Sequence, residues 1–485
     1  MSKILKRIAK ILSRLVDMPI YNLRKNPIML TDAYNLSHQH LKCNTDWEVS
    51  HMYNRSQGMF LYGFSEIALS VLSVQVTFHD VYEAEAAAKR MGITFPTELW
   101  MRVVTECNGY APLAVEALPE GTWCPAGTPF AQIRNTKKGF GDLVTWWEGV
   151  FMMAYFPSAC LTEAYDMRQY LEQRANQFGY GEEFMWKFHS FGFRGHRSLE
   201  DAYWAGTAWN AVLQGTDDFH TAQYTPNAPI GSIAALAHKV TQQFDNEFDC
   251  FKHAIRETAA KGEKVVALVI DTYDAYRVID EYLVPLSNLA SFHDVKIVMR
   301  PDSGDTWEQA VRIYKKCKQA SITNVSVIIG EGMSFENAKK CDEYLMQHGV
   351  PISFVFYGIG GGFYKHIERD TLGWAMKTAF SNGKPRMKFS MEPIKRSIPG
   401  RVGVVRKGND LFVVPHDSIE NEMDDLYNYV YLHDAENVND IPVMVRSDYN
   451  EMRERLEDAD KTQGNIYVSE EINDLVEQFR KIYKS

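Results

Sequence analysis

The chain has 485 residues, of which 45% are hydrophobic, and a formal net charge of -10 at pH 7; this is enough to bury a large core and longer than one domain usually runs. The acidic balance excludes the sustained positive field that nucleic-acid binding requires, so any anion site must be a local basic cluster and the partner a small molecule. Seven scattered cysteines, Cys43, Cys107, Cys124, Cys160, Cys250, Cys317 and Cys341, show no zinc or redox spacing and fit a reducing, cytoplasmic compartment, and no apolar run approaches the roughly 18 residues of a bilayer span, which excludes an integral membrane protein.

The first stretch, MSKILKRIAKILSRL, puts Ile4, Ile8, Ile11, Leu12 and Leu15 on one helical face and Lys3, Lys6, Arg7, Lys10 and Arg14 largely elsewhere. Charges interrupt any signal-peptide core, so a basic surface helix is favoured over a targeting or membrane-surface segment. Residues 1–180 mix helical and short extended segments, with turn-rich passages such as Leu118 to Phe130, and read as α+β. From Glu183, EFMWKFHSFGFRG reads as a strand entering a glycine-bearing loop, and SLEDAYWAGTAWNAVLQG as a helix ended by Gly215.

Between Lys264 and Gly362 four apolar, β-branched runs each end in a polar or glycine cluster: VVALVI before DTYDAY, VKIVM before RPDSG, VSVII before GEG, and ISFVFY before GIGGG. The clusters start at Asp271, Arg300, Gly330 and Gly358, about 28 to 30 residues apart, the length of one strand-plus-helix unit, with helical pattern between them. Beyond Arg369, TLGWAMKTAF reads as a helix. SNGKPRMKFSMEPIKRSIPGR follows, a local basic run in an acidic protein, either a solvated loop or a cationic flank to a phosphate pocket. RVGVVRKGNDLFVVP then reads as a hairpin turning at Lys407-Gly408-Asn409, before an acidic tail that ends in a helix.

Loops after the strands of a parallel barrel converge on one face, so these clusters point to a common pocket rather than to four unrelated turns. GIGGG and GEG let backbone amides approach an anion closely, because no Cβ blocks them, and together they suggest one phosphate held between neighbouring strand ends. Their spacing is neither the dinucleotide pattern G-x-G-x-x-G nor a triphosphate loop, which disfavours a nicotinamide-dependent dehydrogenase. In RPDSG, Arg300 and Asp302 stand two residues apart at a strand end and can project the same way. Asp302 could hold ribose hydroxyls or a magnesium–pyrophosphate unit while Arg300 neutralises phosphate; the alternative is a structural ion pair. Among the histidines, His189, His196 and His220 show no metal-ligand spacing, and His238 lies in the small-residue segment GSIAALAHKV, where pattern alone leaves its role open.

In their order these motifs resemble the nicotinamide phosphoribosyltransferases, a branch of the type II phosphoribosyltransferases. The resemblance runs from LTDAYNLSH through FGFRG, GTDD, SIAALAH, DTYDAY, RPDSG, GEG and GIGGG to PIKRSIPGR, which is most of the chain. It implies an irregular parallel β/α barrel over residues 181–394, with an α/β domain built from 1–180 and 395–485. It also implies a homodimer with active sites across the subunit interface, magnesium as cofactor and ATP as an energy-coupling co-substrate. The activity implied is the joining of nicotinamide to 5-phosphoribosyl-1-pyrophosphate, giving nicotinamide mononucleotide and pyrophosphate, in NAD salvage.

Residue by residue, Phe191 resembles the aromatic that stacks on the pyridine ring, opposite Tyr34 from the other subunit with Asp32 beside it. Arg194 resembles the arginine beside ring and carboxamide, and Asp217 the carboxylate that accepts from the carboxamide NH2, where a nicotinate carboxylate would meet a like charge. Asp302 and Arg300 look like the ribose and phosphate contacts. Gly330 and Gly361 look like backbone anchors for the 5-phosphate, with Glu331 and Gly360 next to them. Arg55, Arg369, Lys377, Lys388 and Lys395 match basic positions around pyrophosphate and ATP, Arg369 and Lys377 being expected from the partner, which favours function for the basic run. His238 resembles the histidine phosphorylated when ATP hydrolysis is coupled to synthesis, and Asp271 its acidic neighbour.

Two positions depart from the family. The residue before the histidine is usually glutamate and is here Ala237, and the usual GDG is here Gly330-Glu331-Gly332. They bear on ATP coupling and on the ribose hydroxyls. They also keep in view a catalytically silent ligand-binding homologue, beside nicotinate phosphoribosyltransferase as the nearest enzyme alternative.

Overall fold

The computed structural model describes residues 26–41, 45–390, 392, 395–421, 424–459 and 464–483. The basic amphipathic helix expected at the N-terminus lies outside the described residues.

Seven parallel strands carry the candidate site: β1 (Phe188–Ser190), β2 (Gly215–Thr216), β3 (Ala234–Ala235), β4 (Val265–Val269), β5 (Lys296–Arg300), β6 (Val325–Ile329) and β7 (Val355–Ile359). Their order across the sheet is β2-β1-β7-β6-β5-β4-β3. Gly231, just ahead of β3, makes a parallel bridge to Gly215 of β2, so the two edges of the curled sheet meet there. The β-branched runs explain these strands through their period of two. Ala267, Val298 and Ile328 point inward and cluster with Val265, Phe356, Ile233 and Phe191. The alternate residues, Val266, Leu268, Ile297, Met299, Val327, Ile329, Tyr357 and Ile359, point outward into the main core. Arg300 follows Val298 by two, Gly330 follows Ile328 and Gly358 follows Phe356, so all three continue the inward face at the mouth.

The covering helices obey their sequence signals. α1 (Tyr155–Phe178) ends at Gly179 in the left-handed conformation, φ 70°, which glycine adopts without strain. α2 (Leu199–Val212), α3 (Glu247–Ala260), α4 (Thr306–Gln319) and α5 (Phe335–Gln347) are each N-capped by a side chain, from Ser198, Asn246, Asp305 and Ser334 respectively. In α4 the buried Ala310, Val311, Ile313 and Cys317 form the stripe that packs on the sheet.

The irregular barrel with a second α/β unit is thus observed; the second sheet takes strands from both chain ends and also Ala375–Ser381 and Lys384–Pro385, from within the span 181–394 read as barrel. Its antiparallel order is Lys384–Pro385, Ala375–Ser381, Glu48–Tyr53, Pro129–Asn135, Leu113–Ala117, Asn428–Leu432, Val443–Met444. A smaller sheet contains the expected hairpin, Val402–Lys407 paired with Asp410–Pro415, and the tail ends in the helix Glu470–Tyr483.

Two local readings are corrected. The segment TLGWAMKTAF is not a helix: Ala375–Ser381 is a strand paired with Glu48–Tyr53, Lys377 lying opposite His51. Leu, Ala, Met and Lys favour helix locally, but Gly373 at φ 60° breaks the chain before it, and Asn382-Gly383, at φ 47° and 78°, form a two-residue hairpin turn after it. Gly215 does not end α2, which stops at Val212. It lies in β2, where a Cβ would come within 2.4 Å of the Phe188 backbone oxygen, so close strand approach explains this glycine. Among the described residues no helix is long and apolar enough to cross a membrane.

Candidate active site

The strand ends do converge. Phe191, directly after β1, donates its backbone N–H to the Ile359 oxygen at 2.9 Å. Its ring lies over Gly358, where a Cβ would sit 2.0 Å from Cε2, and beside Gly330, where the same distance would be 3.4 Å. Two glycines in the barrel wall therefore make the slot that holds this ring at the mouth. Asp217, after β2, is placed by its N–H on the Ser190 oxygen at 3.0 Å, and its Oδ1 accepts the Ser232 hydroxyl. Ser232 reaches it because Thr216 N–H bonds the Gly231 oxygen at 2.9 Å, drawing residues 231–232 to β2. Arg194 is exposed on the one-turn helix Phe193–Gly195 beside this slot. Arg300 reaches inward with its Nε buried and without a hydrogen-bond partner, a donor suited to an oxyanion.

Between the ends of β3, β4 and β5, His238 is flanked by carboxylates. Its Nε2 lies 3.4 Å from Asp302 Oδ2 and 3.8 Å from Asp271 Oδ1, while Nδ1 shares a hydrogen bond with Thr272 Oγ1 at 3.2 Å. Ser303 donates to Asp271 Oδ2, leaving Asp271 Oδ1 buried and free of hydrogen bonds. An imidazole oriented on one side and facing two carboxylates on the other is arranged so that it can act as a nucleophile or proton carrier. Glu247 lies behind this group, and burial pushes its carboxyl up to about 7.

A cavity of about 640 Å³ opens between the ends of β6 and β7. Gly330, Gly332 and Gly360 to Gly362 line it together with Ser334, the N-cap of α5, and with Lys365, His366 and Glu163. Backbone amides at a helix N-terminus and a glycine run are groups that can receive an anion. Glu331 is exposed in the turn beside it.

Tyr34, Lys377 and Lys388 do not join the mouth. They line a second cavity of about 770 Å³ with Glu148 and Arg386, where Tyr34, 55% exposed, packs edge-on against His38 with ring centroids 5.2 Å apart. Burial lowers the Lys377 pKa, and the positive charges of Arg55, Lys388 and Arg369 lower it further while Glu148 opposes them. Burial raises the Glu148 pKa, with Asp32 adding to it. Asp32, Arg55, Arg369, Lys377 and Lys388 thus share one electrostatic neighbourhood, in which Arg55 Nε and Nη2 are buried and unpaired. Lys395 is instead held by Glu392 at 2.7 Å.

Ser232, Thr272, Ser303, Glu148 and the Glu163–His366 pair escaped the sequence reading. Thr272 and Ser303 lie inside quoted motifs, where a hydroxyl beside a strand-end aspartate was the available signal. Glu148 and Glu163 sit on ordinary helical stretches with none.

Residues 186–386 match the Nicotinate phosphoribosyltransferase (NAPRTase) family. The chain is similar to the nicotinamide phosphoribosyltransferase of Xanthomonas campestris pv. campestris, 26% identical over 379 residues covering 73% of this chain and 80% of that protein. It is also similar to the nicotinamide phosphoribosyltransferase of Acinetobacter baylyi, 27% identical over 362 residues covering 65% and 71%. In fold it resembles the crystal structure of human nicotinic acid phosphoribosyltransferase, with a TM-score of 0.62 at 15% identity over 93% of this chain and 100% of that one. The likeness read from the motifs is borne out.

Proposed function

We propose that the chain is a nicotinamide phosphoribosyltransferase that forms nicotinamide mononucleotide and pyrophosphate from nicotinamide and 5-phosphoribosyl-1-pyrophosphate. The observation that carries this reading is the arrangement at one sheet face, where the Phe191 ring, the Asp217 carboxylate and a glycine-lined anion cavity meet. Stacking on Phe191 would orient an electron-poor ring and bury it. Asp217 accepts hydrogen bonds only, so it suits a carboxamide NH2 and repels a carboxylate, which sets nicotinamide above nicotinate as substrate.

The pyridine nitrogen then forms a bond to the anomeric carbon as the bond from that carbon to the pyrophosphate oxygen breaks, with inversion; the electron pair leaves on pyrophosphate and the ring becomes a pyridinium. The chain's part is positioning and charge management: the glycine turns hold the 5-phosphate, and Arg300 with the cationic cavity meets the anionic groups. That cavity and Tyr34 lie apart from the mouth within one chain, which supports a homodimer in which Tyr34, Asp32, Arg369 and Lys377 complete the partner's site.

Among the described residues no three His, Cys, Asp or Glu side chains form a metal site by themselves. Magnesium, however, is commonly held by one or two carboxylates plus substrate phosphates, and the free Asp271 Oδ1 with Asp302 fits that mode. When bound, the ion would supply charge neutralisation of pyrophosphate. His238 would take the terminal phosphoryl group of ATP, with ADP leaving, in a separate coupling reaction, with Asp271 and Asp302 facing the ring; Ala237 leaves the adjacent position without a carboxylate. The described cysteines are free and buried, which supports a cytoplasmic enzyme of NAD salvage.

The test is incubation of the purified chain with nicotinamide, phosphoribosyl pyrophosphate and magnesium, with nicotinate in parallel. Mononucleotide from the amide is expected; product from nicotinate alone makes it a nicotinate enzyme, and no product from either leaves a ligand-binding homologue. His238→Ala should abolish stimulation by ATP while basal synthesis persists.

A further inference from the structure

The reaction just described leaves one pair of side chains without a task. His366 closes the turn of residues 361–366 that follows the glycine run, and its Nε2 lies 2.8 Å from Oε2 of Glu163 on α1. Toward that carboxylate the imidazolium offers both an N–H and an opposite charge. Lys365 folds its stem over Gly361, so close that a Cβ there would lie 2.4 Å from Lys365 Cε. Glu163, Lys365 and His366 all line the 640 Å³ cavity.

We propose that His366 is a positioning residue for phosphate binding: as an imidazolium it ties the glycine turn to α1 and covers the negative charge of Glu163, and loss of its proton loosens the grip on a phosphate ester. This rests on reading the cavity as the 5-phosphate subsite. Burial raises the Glu163 pKa and the facing His366 opposes that; without the cation, an approaching phosphate meets the Glu163 carboxylate as a like charge. The other charged groups around the pair are few. Lys339 of α5 faces Glu163 but is itself paired with Glu336 at 2.8 Å, and Lys365 lies next to His366 on the turn. The hydrogen bond to Glu163, the largest influence, holds the His366 pKa above the ordinary histidine value, against burial and aided by the Gly362 carbonyl. The grip is therefore full in mild acid, outlasts the range in which an ordinary histidine discharges, and is lost as pH rises through the raised value.

The experiment is calorimetric titration of the 485-residue chain with ribose 5-phosphate at about pH 6 and about pH 8, comparing the unaltered chain with His366→Gln and Glu163→Gln. The ester titrates in the same range, so the comparison between proteins isolates the residue. Expected is a fall in affinity about tenfold larger in the unaltered chain than in His366→Gln, which keeps a neutral donor near the Nε2 position. In Glu163→Gln the fall should move to lower pH. In turnover, His366→Gln should raise KM for phosphoribosyl pyrophosphate and leave kcat and the nicotinamide KM unchanged, a split that loss of folding would not produce. Identical pH dependence in the unaltered chain and His366→Gln overturns the inference while the proposed reaction stands. No ribose 5-phosphate binding by any of the three overturns the phosphate reading of the cavity together with this inference.

Discussion

Replacing Gly358 with alanine probes the ring slot directly. Gly358 has no positive φ, so its backbone accepts alanine, and the effect is confined to the added methyl. That methyl would lie 2.0 Å from Cε2, 2.2 Å from Cδ2 and 2.7 Å from Cζ of Phe191. To restore ordinary contact the ring must retreat by about 1.4 Å, away from the wall that now fixes it. Overpacking of this kind costs about 1–3 kcal/mol of stability, and a misplacement of about 1 Å at a reacting substrate lowers the rate about a hundredfold. Gly358→Ala should therefore lower kcat/KM for nicotinamide by roughly two orders of magnitude while thermal unfolding stays cooperative and drops only a few degrees. In Phe191→Leu/Gly358→Ala the stability should return without the activity. A folded Gly358→Ala protein with unaltered kcat/KM would refute the assignment of Phe191 as the ring platform.

Asp217→Ser should erode the preference for amide over acid by about 1.5–3 kcal/mol, roughly ten- to a hundredfold, in competitive kinetics, and Ser232→Ala by less because only the aim of the carboxylate is lost. Deep in the barrel wall, Lys187 and Asp342 form a buried pair at 3.0 Å, with the Tyr357 and Tyr170 hydroxyls donating to the carboxylate at 2.6 and 2.7 Å. Asp342→Asn leaves a buried ammonium without its carboxylate and should cost about 3–5 kcal/mol by denaturant unfolding. Burial pushes the Asp218 carboxyl from 3.8 up to about 6. A raised acid is more easily protonated in the folded state, so its contribution is full below about pH 4 and lost as pH rises through about 6, on the order of 2–3 kcal/mol. Asp218→Asn should flatten that stretch of the stability curve, and an unchanged curve would remove burial as the cause.

The barrel and its mouth were legible because both follow from short-range rules. Alternating β-branched runs such as VKIVM and VSVII state which residues face inward, and parallel strands send the clusters after them to one side, so the clusters at Asp271, Arg300, Gly330 and Gly358 could be named together from spacing. The 375–381 strand was not legible, since its own residues favour helix and only pairing with Glu48–Tyr53 outweighs that preference. The resemblance to known enzymes named Tyr34 and Lys377, but not the separate cavity in which the fold sets them.

By itself the sequence determined the repeated strand-and-helix units, the glycine turns and the kinds of charge at the strand ends, because periodicity and steric freedom act within a few residues. The tertiary structure alone decided that Glu163 meets His366, that Ser232 holds Asp217, and that a half-buried Glu148 sits among cations. The first and last join segments about 200 residues apart and the second joins two strand ends 15 residues apart; all depend on distances and desolvation that exist only once the sheets have closed.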